Sequence, residues 1–390
     1  MVGRSRFRVG LWRIFGMLLA LLPWGTLAAQ NGQLSTVSLQ EYSGSLEQAL
    51  RGQDLRWATE RDHMVDAALK DWLTWMRPTL IDAYEQYMHM RHLMWPVYAE
   101  AGLPEGLLFG ILAKESGGRV HSVSRVGAAG PLQFMRHTGL RLGLQIDDAR
   151  DERFDPQAAT RANVAYLRER FIDFDGDLAL ALAAYNAGEN RVRRLARGFA
   201  EPSFWDPDLF RQLPRETQEY VPYVLAAALL FQEPGRHGVE FPWVEAWPAT
   251  IELLTPKTLA ELSICIGQSG SRAGWFRTIR NLNPHHDHDA RLPRGYRVQV
   301  PAGLVPRYEQ ACLNGSGKAL ATRLSQARDE RRALLAVRTY TVRSGDTLST
   351  IVQQQGCPSL RAVADANGIQ PPRYLIRPGQ QLQLVGCRLQ

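Results

Sequence analysis

"PEGLLFGILAKESGG", residues 104–118, decides how the rest of the chain is read. Pro104 suits the opening of a helix, and the pair Gly117 and Gly118 suits its end. Between them, Leu108, Leu112 and Glu115 fall on one face at spacings of four and three. The pattern predicts a core helix, PEGLLFGILAKES, with an acid near its end pressed against apolar groups. Such a carboxylic acid keeps its proton to a higher pH, because desolvation penalises the charged form. A general acid working near neutrality needs that property. Taken alone, this stretch also fits a half-exposed Glu paired with Lys or Arg, so its surroundings have to decide.

Working outward, the helical period persists. "MVDAALKDWLTWM" (64–76) and "LIDAYEQYMHMRHLMWPVYAEAG" (80–102) repeat apolar residues at three and four. Downstream, Asp155-Pro156 opens a helix to about Asp173 with Val164, Leu167 and Phe171 inward. Asp177 caps "LALALAAYNAG", which Gly188 closes, and a last helix runs from about Pro214 to Phe231. Residues 55–232 therefore read as one mostly helical domain.

At 390 residues the chain is long for one core, since domains usually hold about 100 to 200 residues. Its first 28 residues carry Arg4, Arg6, Arg8 and Arg13, an apolar run from Ile14 to Leu22, and Thr26-Leu27-Ala28. That is the pattern of an export signal. A retained anchor is the rival, but Pro23 interrupts a run shorter than the roughly 20 residues of a span. No Cys follows the run, so no lipid anchor is expected. Residues 29–54, polar and rich in Gly, Ser and Gln, read as a flexible leader. Without the four arginines the formal net charge of +7 becomes +3, a modest excess compatible with an anionic polymer. The basic residues are scattered and match no nucleic-acid module. The four cysteines, Cys265, Cys312, Cys357 and Cys387, lie in the last third. An even number in an oxidising compartment allows two disulfides in three connectivities. Pairing neighbours is preferred, because each pair then staples one small module; the spacings match no C-x-x-C zinc pattern.

The motifs around Glu115 carry a resemblance. Ser124 follows nine residues on, then "RVGAAGPLQFM" with Gln133 and Met135, then "AAYNAG" with Tyr185 and Asn186, then "LPRETQEYV" with Glu216 and Tyr220. Over residues 90–232 these motifs, in this order, resemble the catalytic core of the soluble-type lytic murein transglycosylases, and the stretch before Glu115 resembles the membrane-bound transglycosylase D subgroup. The resemblance implies an α+β multidomain chain with a mostly α, lysozyme-like catalytic domain. It implies Glu115 as the catalytic acid, with Ser124, Gln133, Met135, Tyr185, Glu216 and Tyr220 lining a glycan cleft. Two departures stand out: Pro131-Leu132 replaces Leu-Met, and Arg136 stands where Pro is usual. These predict altered glycan contacts and intact chemistry.

Each residue also has a plain structural reading. Ser124 can cap a turn, Gln133 can satisfy backbone groups, Met135 can be core, Tyr185 lines up with Leu178 and Leu182, and Asn186 suits a helix cap. Glu216 reads as a surface residue unless Tyr220, one turn on, holds it inward. Glycosidases ordinarily need a second carboxylate. Here the spare acids Asp147, Asp148, Asp151 and Glu152 sit in one polar loop. With no evident partner for Glu115, the family's chemistry supplies the missing group from the substrate: acetamido assistance, then a 1,6-anhydro ring, with no water consumed. A water-dependent muramidase, an inactive wall-binding scaffold and a dedicated piercing enzyme of a secretion machine are the rivals.

After residue 232 the composition changes. "YTVRSGDTLSTIV" through "GQQLQL" resembles a LysM module, a β-α-α-β unit that binds N-acetylglucosamine-containing glycans, marked by Gly345-Asp346-Thr347-Leu348, Asn367 and Pro378-Gly379. That resemblance implies Gly345, Asp346 and Thr347 at the sugar groove, though Asp346 also suits a helix cap. Thr258-Leu259-Ala260 answers Thr347-Leu348-Ser349, and Gly295 answers Gly379, so residues 250–303 read as a degenerate copy. Residues 304–337 read as a solvated linker and 338–387 as the LysM module. "HHDHD", residues 285–289, invites a metal reading, but adjacent loop ligands are poorly spaced for tetrahedral geometry, and no metal or cofactor is expected. The chain is expected to be exported, periplasmic and monomeric, with peptidoglycan glycan strands as its partner.

Overall fold

The computed structural model describes residues 55–387 apart from 288, 335–337, 358 and 386; the export signal and leader expected over 1–54 lie outside the described residues. The first unit is helical: α1 is Leu55–Leu73, α2 Arg77–Glu100, α3 Glu105–Glu115, α4 Arg136–Arg141, α5 Pro156–Asp173, α6 Leu178–Ala187, α7 Glu189–Ala196, α8 Pro207–Gln212 and α9 Arg215–Gln232. Asp155 caps α5 by accepting from the Ala158 amide at 2.8 Å, and Asp177 caps α6 by accepting from the Leu180 amide at 2.8 Å.

The central element is α3. Its pattern predicts one apolar face, yet every residue from Gly106 to Ala113 is buried. A helix apolar all round belongs inside the core. Glycine makes this possible: a Cβ at Gly110 would lie 2.3 Å from the carbonyl oxygen of Val224, so α9 packs directly on the α3 backbone. The end of α3 is thereby fixed in the middle of the unit, with Glu115 as its last residue.

Two β-α-α-β units follow. In the first, β1 (Pro248–Glu252) pairs antiparallel with β2 (Arg297–Pro301) around α10 (Leu259–Ile266) and α11 (Phe276–Leu282). In the second, β3 (Arg338–Thr341) pairs antiparallel with β4 (Gln381–Leu384) around α13 (Leu348–Gln354) and α14 (Leu360–Ala366). One device recurs in both. Asn283 Nδ2 donates to the carbonyls of Ile279 (2.7 Å) and Gln299 (2.8 Å), while its Oδ1 accepts from the Gln299 amide (2.9 Å). Asn367 Nδ2 donates to the carbonyls of Val363 (2.7 Å) and Gln383 (2.8 Å), and its Oδ1 accepts from the Gln383 amide (2.7 Å).

Residues 304–334 correct an expectation, since they are not a solvated linker. Leu304, Tyr308, Cys312 and Ala321 enter the core of the first unit, and Tyr308 Oη donates to the Glu252 carbonyl at 3.0 Å. Helix α12 (Ser316–Leu334) lies against that unit, with Ser325 donating to Glu261 and Arg328 meeting Asp289 at 2.8 Å. The charges of this stretch suggest solvation, but Arg328 and Ser325 are matched to acids of the module, which their own sequence does not reveal. Disulfides join Cys265 to Cys312 and Cys357 to Cys387. The first ties helix α10 to this added segment.

Three side chains of "HHDHD" have separate partners: His285 Nε2 is 3.0 Å from Asp155, His286 meets the Tyr296 hydroxyl, and Asp289 holds Arg328. Among the described residues no helix is long and apolar enough to cross a membrane.

Candidate active site

Glu115 ends α3 at the point where the chain must turn, and three contacts shape that turn. Ser116 Oγ donates to the Pro131 carbonyl (2.8 Å) and accepts from the Gly118 amide (3.1 Å), which ties the helix end to the loop 128–135. Tyr185 Oη, from α6, donates to the Leu132 carbonyl at 2.7 Å and accepts from Asn163 Nδ2 at 3.1 Å; Tyr98 bonds the other end of that amide. Gly130 has φ +90°, and a Cβ there would lie 1.7 Å from the Arg153 carbonyl oxygen, so only glycine fits where this loop crosses the 153 segment.

On the opposite wall, Tyr220 of α9 donates to Glu115 Oε1 at 2.6 Å. Burial pushes the Glu115 pKa up to about 7; the Tyr220 hydrogen bond and Lys114 pull it back, and the charge of Glu216 adds to the rise. Desolvation outweighs the bond that favours the carboxylate. Lys114 is itself partly withdrawn from water, its ammonium 4.5 Å from the centre of the Tyr223 ring, and burial lowers its pKa. Tyr220 and Tyr185 both hold their protons well past the ordinary range, burial being the first cause. Glu115 is thus a carboxyl able to be neutral or ionised near pH 7, beside hydroxyls that stay protonated.

The other sequence candidates fall into place unevenly. Gln133, at φ +51°, turns its Nε2 to the carbonyls of Ser122 (3.1 Å) and Gly130 (2.8 Å), so it fastens the loop. Ser124 Oγ accepts from the Ala128 amide at 3.0 Å and closes the preceding turn. Met135 is partly buried just before α4. Glu216 is exposed, and the expectation that Tyr220 draws it inward is corrected: Tyr220 serves Glu115, while Glu216 meets Asn186 Nδ2 at 3.5 Å. Asn186 in turn accepts from Thr217 Oγ1 at 2.6 Å, so it bridges α6 and α9. The loop acids are engaged locally: Asp147 accepts from the Ala149 and Arg150 amides, Asp151 pairs with Arg153 at 2.6 Å, and Glu152 accepts from the Gln145 amide.

Three residues have no counterpart in the sequence reading. Asn281, on α11, donates through Nδ2 to the Gly118 carbonyl (2.9 Å) and to Gln86 Oε1 (3.0 Å), and accepts at Oδ1 from the Val120 amide (3.3 Å). Gln86 Nε2 reaches Thr278 Oγ1 at 3.3 Å. The first β-α-α-β unit therefore grips the turn that follows Glu115. A buried polar pair on one face of α11 was the available signal, legible only once α11 was known to have a neighbour. In the second unit, Asp346 is not the helix cap: Thr347 caps α13, and Asp346 accepts from the Arg343 amide (2.7 Å) and the Tyr340 hydroxyl (2.8 Å). Gly345 sits at φ +90° in the same turn.

With this geometry in hand, comparison with known proteins is informative. Residues 98–206 match the transglycosylase SLT domain and residues 340–385 the LysM domain, so the chain carries one of each. It is homologous to membrane-bound lytic murein transglycosylase D of Escherichia coli K12, 30% identical over 277 residues, which is 68% of this chain and 56% of that protein. The chain thus spans a little over half the length of that relative. A transglycosylase of Enterobacteria phage PRD1 is 34% identical over 94 residues, 24% of this chain and 33% of its own. The solved structure of an inactive mutant of lytic transglycosylase Slt from Pseudomonas aeruginosa shares 27% identity, covering 39% of this chain and 25% of its own, with a TM-score of 0.32.

Proposed function

We propose that the chain is a peptidoglycan lytic transglycosylase that cleaves the β-1,4 bond between N-acetylmuramic acid and N-acetylglucosamine. The observation that carries this reading is the half-buried Glu115 carboxyl, hydrogen-bonded to Tyr220 and poised near neutrality within a transglycosylase SLT domain. Neutral Glu115 donates its proton to the glycosidic oxygen as the C1–O bond breaks, and the substrate's acetamido group stabilises the developing cation. The ionised carboxylate then takes the proton of the muramyl C6 hydroxyl, whose oxygen bonds to C1. The ring closes, Glu115 is neutral again, and no water is consumed. The site residues Ser124, Gln133, Met135 and Tyr185 act in this account by shaping the wall of the cleft. The LysM domain, through the turn at Gly345, Asp346 and Thr347, holds the enzyme on the wall. Residues 1–28 direct export, placing the enzyme in the periplasm.

Products of purified murein decide the reading by mass: anhydro ends are one water lighter than hydrolytic ends. Glu115→Gln keeps the shape and removes the acid, and turnover should fall about a thousandfold. Comparable rates in that variant end the proposal. A second reading, water-dependent hydrolysis, draws support from one observation: Glu216 is near enough for its charge to raise the Glu115 pKa. Products carrying the full mass of water, lost on Glu216→Gln, would establish it.

A further inference from the structure

Between the helical unit and the first β-α-α-β unit lies a groove of about 310 Å³ that none of the chemistry above uses. One wall is the chain just past Glu115, with Arg119, His121 and Ser122; the other is α11, with Arg277 and Arg280. No acid lines it. Asp82 touches its rim, 3.8 Å from Arg277, and Asp287 acts on Arg280 electrostatically. Arg280 Nε is buried without a hydrogen-bond partner, a costly state for a charged donor. Burial lowers the Arg280 pKa, as expected of a guanidinium drawn out of water. The groove is also continuous with the site: Ser122 lines it, while the Ser122 carbonyl accepts from Gln133 Nε2 and the Gly130 amide (2.9 Å) on the cleft side.

We propose that this groove is a subsite for a carboxylate on the peptide branch of the murein strand, bound by Arg277 and Arg280 opposite Arg119. This rests on the proposed function and names the part of the substrate, beyond the sugars, that the enzyme reads. Three guanidinium groups converge on one concavity, one of them with a donor unsatisfied, and a planar carboxylate is the group that fits such forks. The degenerate module then has a use that needs no sugar groove of its own: it supplies half of a peptide subsite next to the catalytic turn.

The test compares kcat/KM on strands bearing stem peptides with that on strands stripped by an amidase. In Arg277→Gln/Arg280→Gln the ratio of the two should fall about tenfold, the loss of one to two charge-assisted bonds. Arg119→Gln, at an exposed position, should lower it about threefold and guards against a misfolded double variant. A ratio matching the parent's, whatever happens to overall activity, overturns the proposal. Binding of the isolated stem peptide to the intact chain by calorimetry reads the groove without catalysis, and equal affinity in parent and double variant overturns it too. Failure of the proposed function looks different: the unaltered chain would cleave neither strand.

Discussion

Residues 250–303 and 340–385 tie their second helix to their second strand with the same asparagine clip, Asn283 in one and Asn367 in the other, yet they present the same helix face to different surroundings. Aligned on that clip, Thr278 and Asn281 of α11 correspond to Ala362 and Asp365 of α14. Thr278 and Asn281 are buried against Gln86, Gly118 and Val120 of the helical unit. Ala362 and Asp365 are exposed, and Asp365 meets only a distant Arg361 at 3.8 Å. Two side chains on one helix face thus separate a module built into the catalytic unit from one whose face stays open. The unit without a Gly-Asp-Thr turn is the one whose helix face packs against the helical unit; the unit that keeps the turn leaves that face open.

The largest expected effect that could break this contrast is reduction. The disulfides close loops of 47 and 30 residues, and each constrains the unfolded chain by about 4 kcal/mol. The second module, with one small core of its own, should unfold when reduced, whereas the first, backed by α12 and the helical unit, should persist. Calorimetry with and without reductant should show one low transition vanish; loss of both would mean that the first module gains nothing from its docking. Next in size, Asn281→Ala removes three buried hydrogen bonds and leaves the Gly118 carbonyl and the Val120 amide unmet, about 2 to 3 kcal/mol of stability. Asp365→Ala, at the matching position, should change stability by less than about 0.5 kcal/mol. Equal effects in denaturant titrations would erase the distinction between the two faces.

The ease of reading tracked how local each feature is. The Asp155 and Asp177 caps and the apolar period of α5 follow from neighbours a few residues away. The enclosure of Glu115 was anticipated from the apolar residues before it. What the sequence concealed were meetings across long separations: Tyr220 reaching Glu115 rather than Glu216, 105 residues apart, and Asn281 reaching Gly118, 163 residues apart. The run after residue 304 misled for a related reason, since Ser325 meets Glu261 and Arg328 meets Asp289, partners far away in the sequence. The six-residue helix α8 lacks enough turns for a period to show.

The smallest effect is also the sharpest, because it joins the docked module to the chemistry. Glu115 ordinarily titrates near 4.5 and is pushed up to about 7 by burial, so the fold favours its neutral form. The sign follows: stability is fully present below pH 4.5 and declines as pH rises toward 7, by about 3 kcal/mol, and Glu115→Gln should abolish that slope. In the proposed mechanism Glu115 must also carry its proton, so kcat/KM should fall as pH rises through about 7. If Asn281 keeps the turn after Glu115 closed, Asn281→Ala should admit water, ease the desolvation and move that falling limb to lower pH by a few tenths of a unit. Asp365→Ala should leave the limb in place. A limb that stays put in Asn281→Ala while stability drops would show that the module only props the fold; a shifted limb shows that the docked β-α-α-β unit tunes the acid from outside the site.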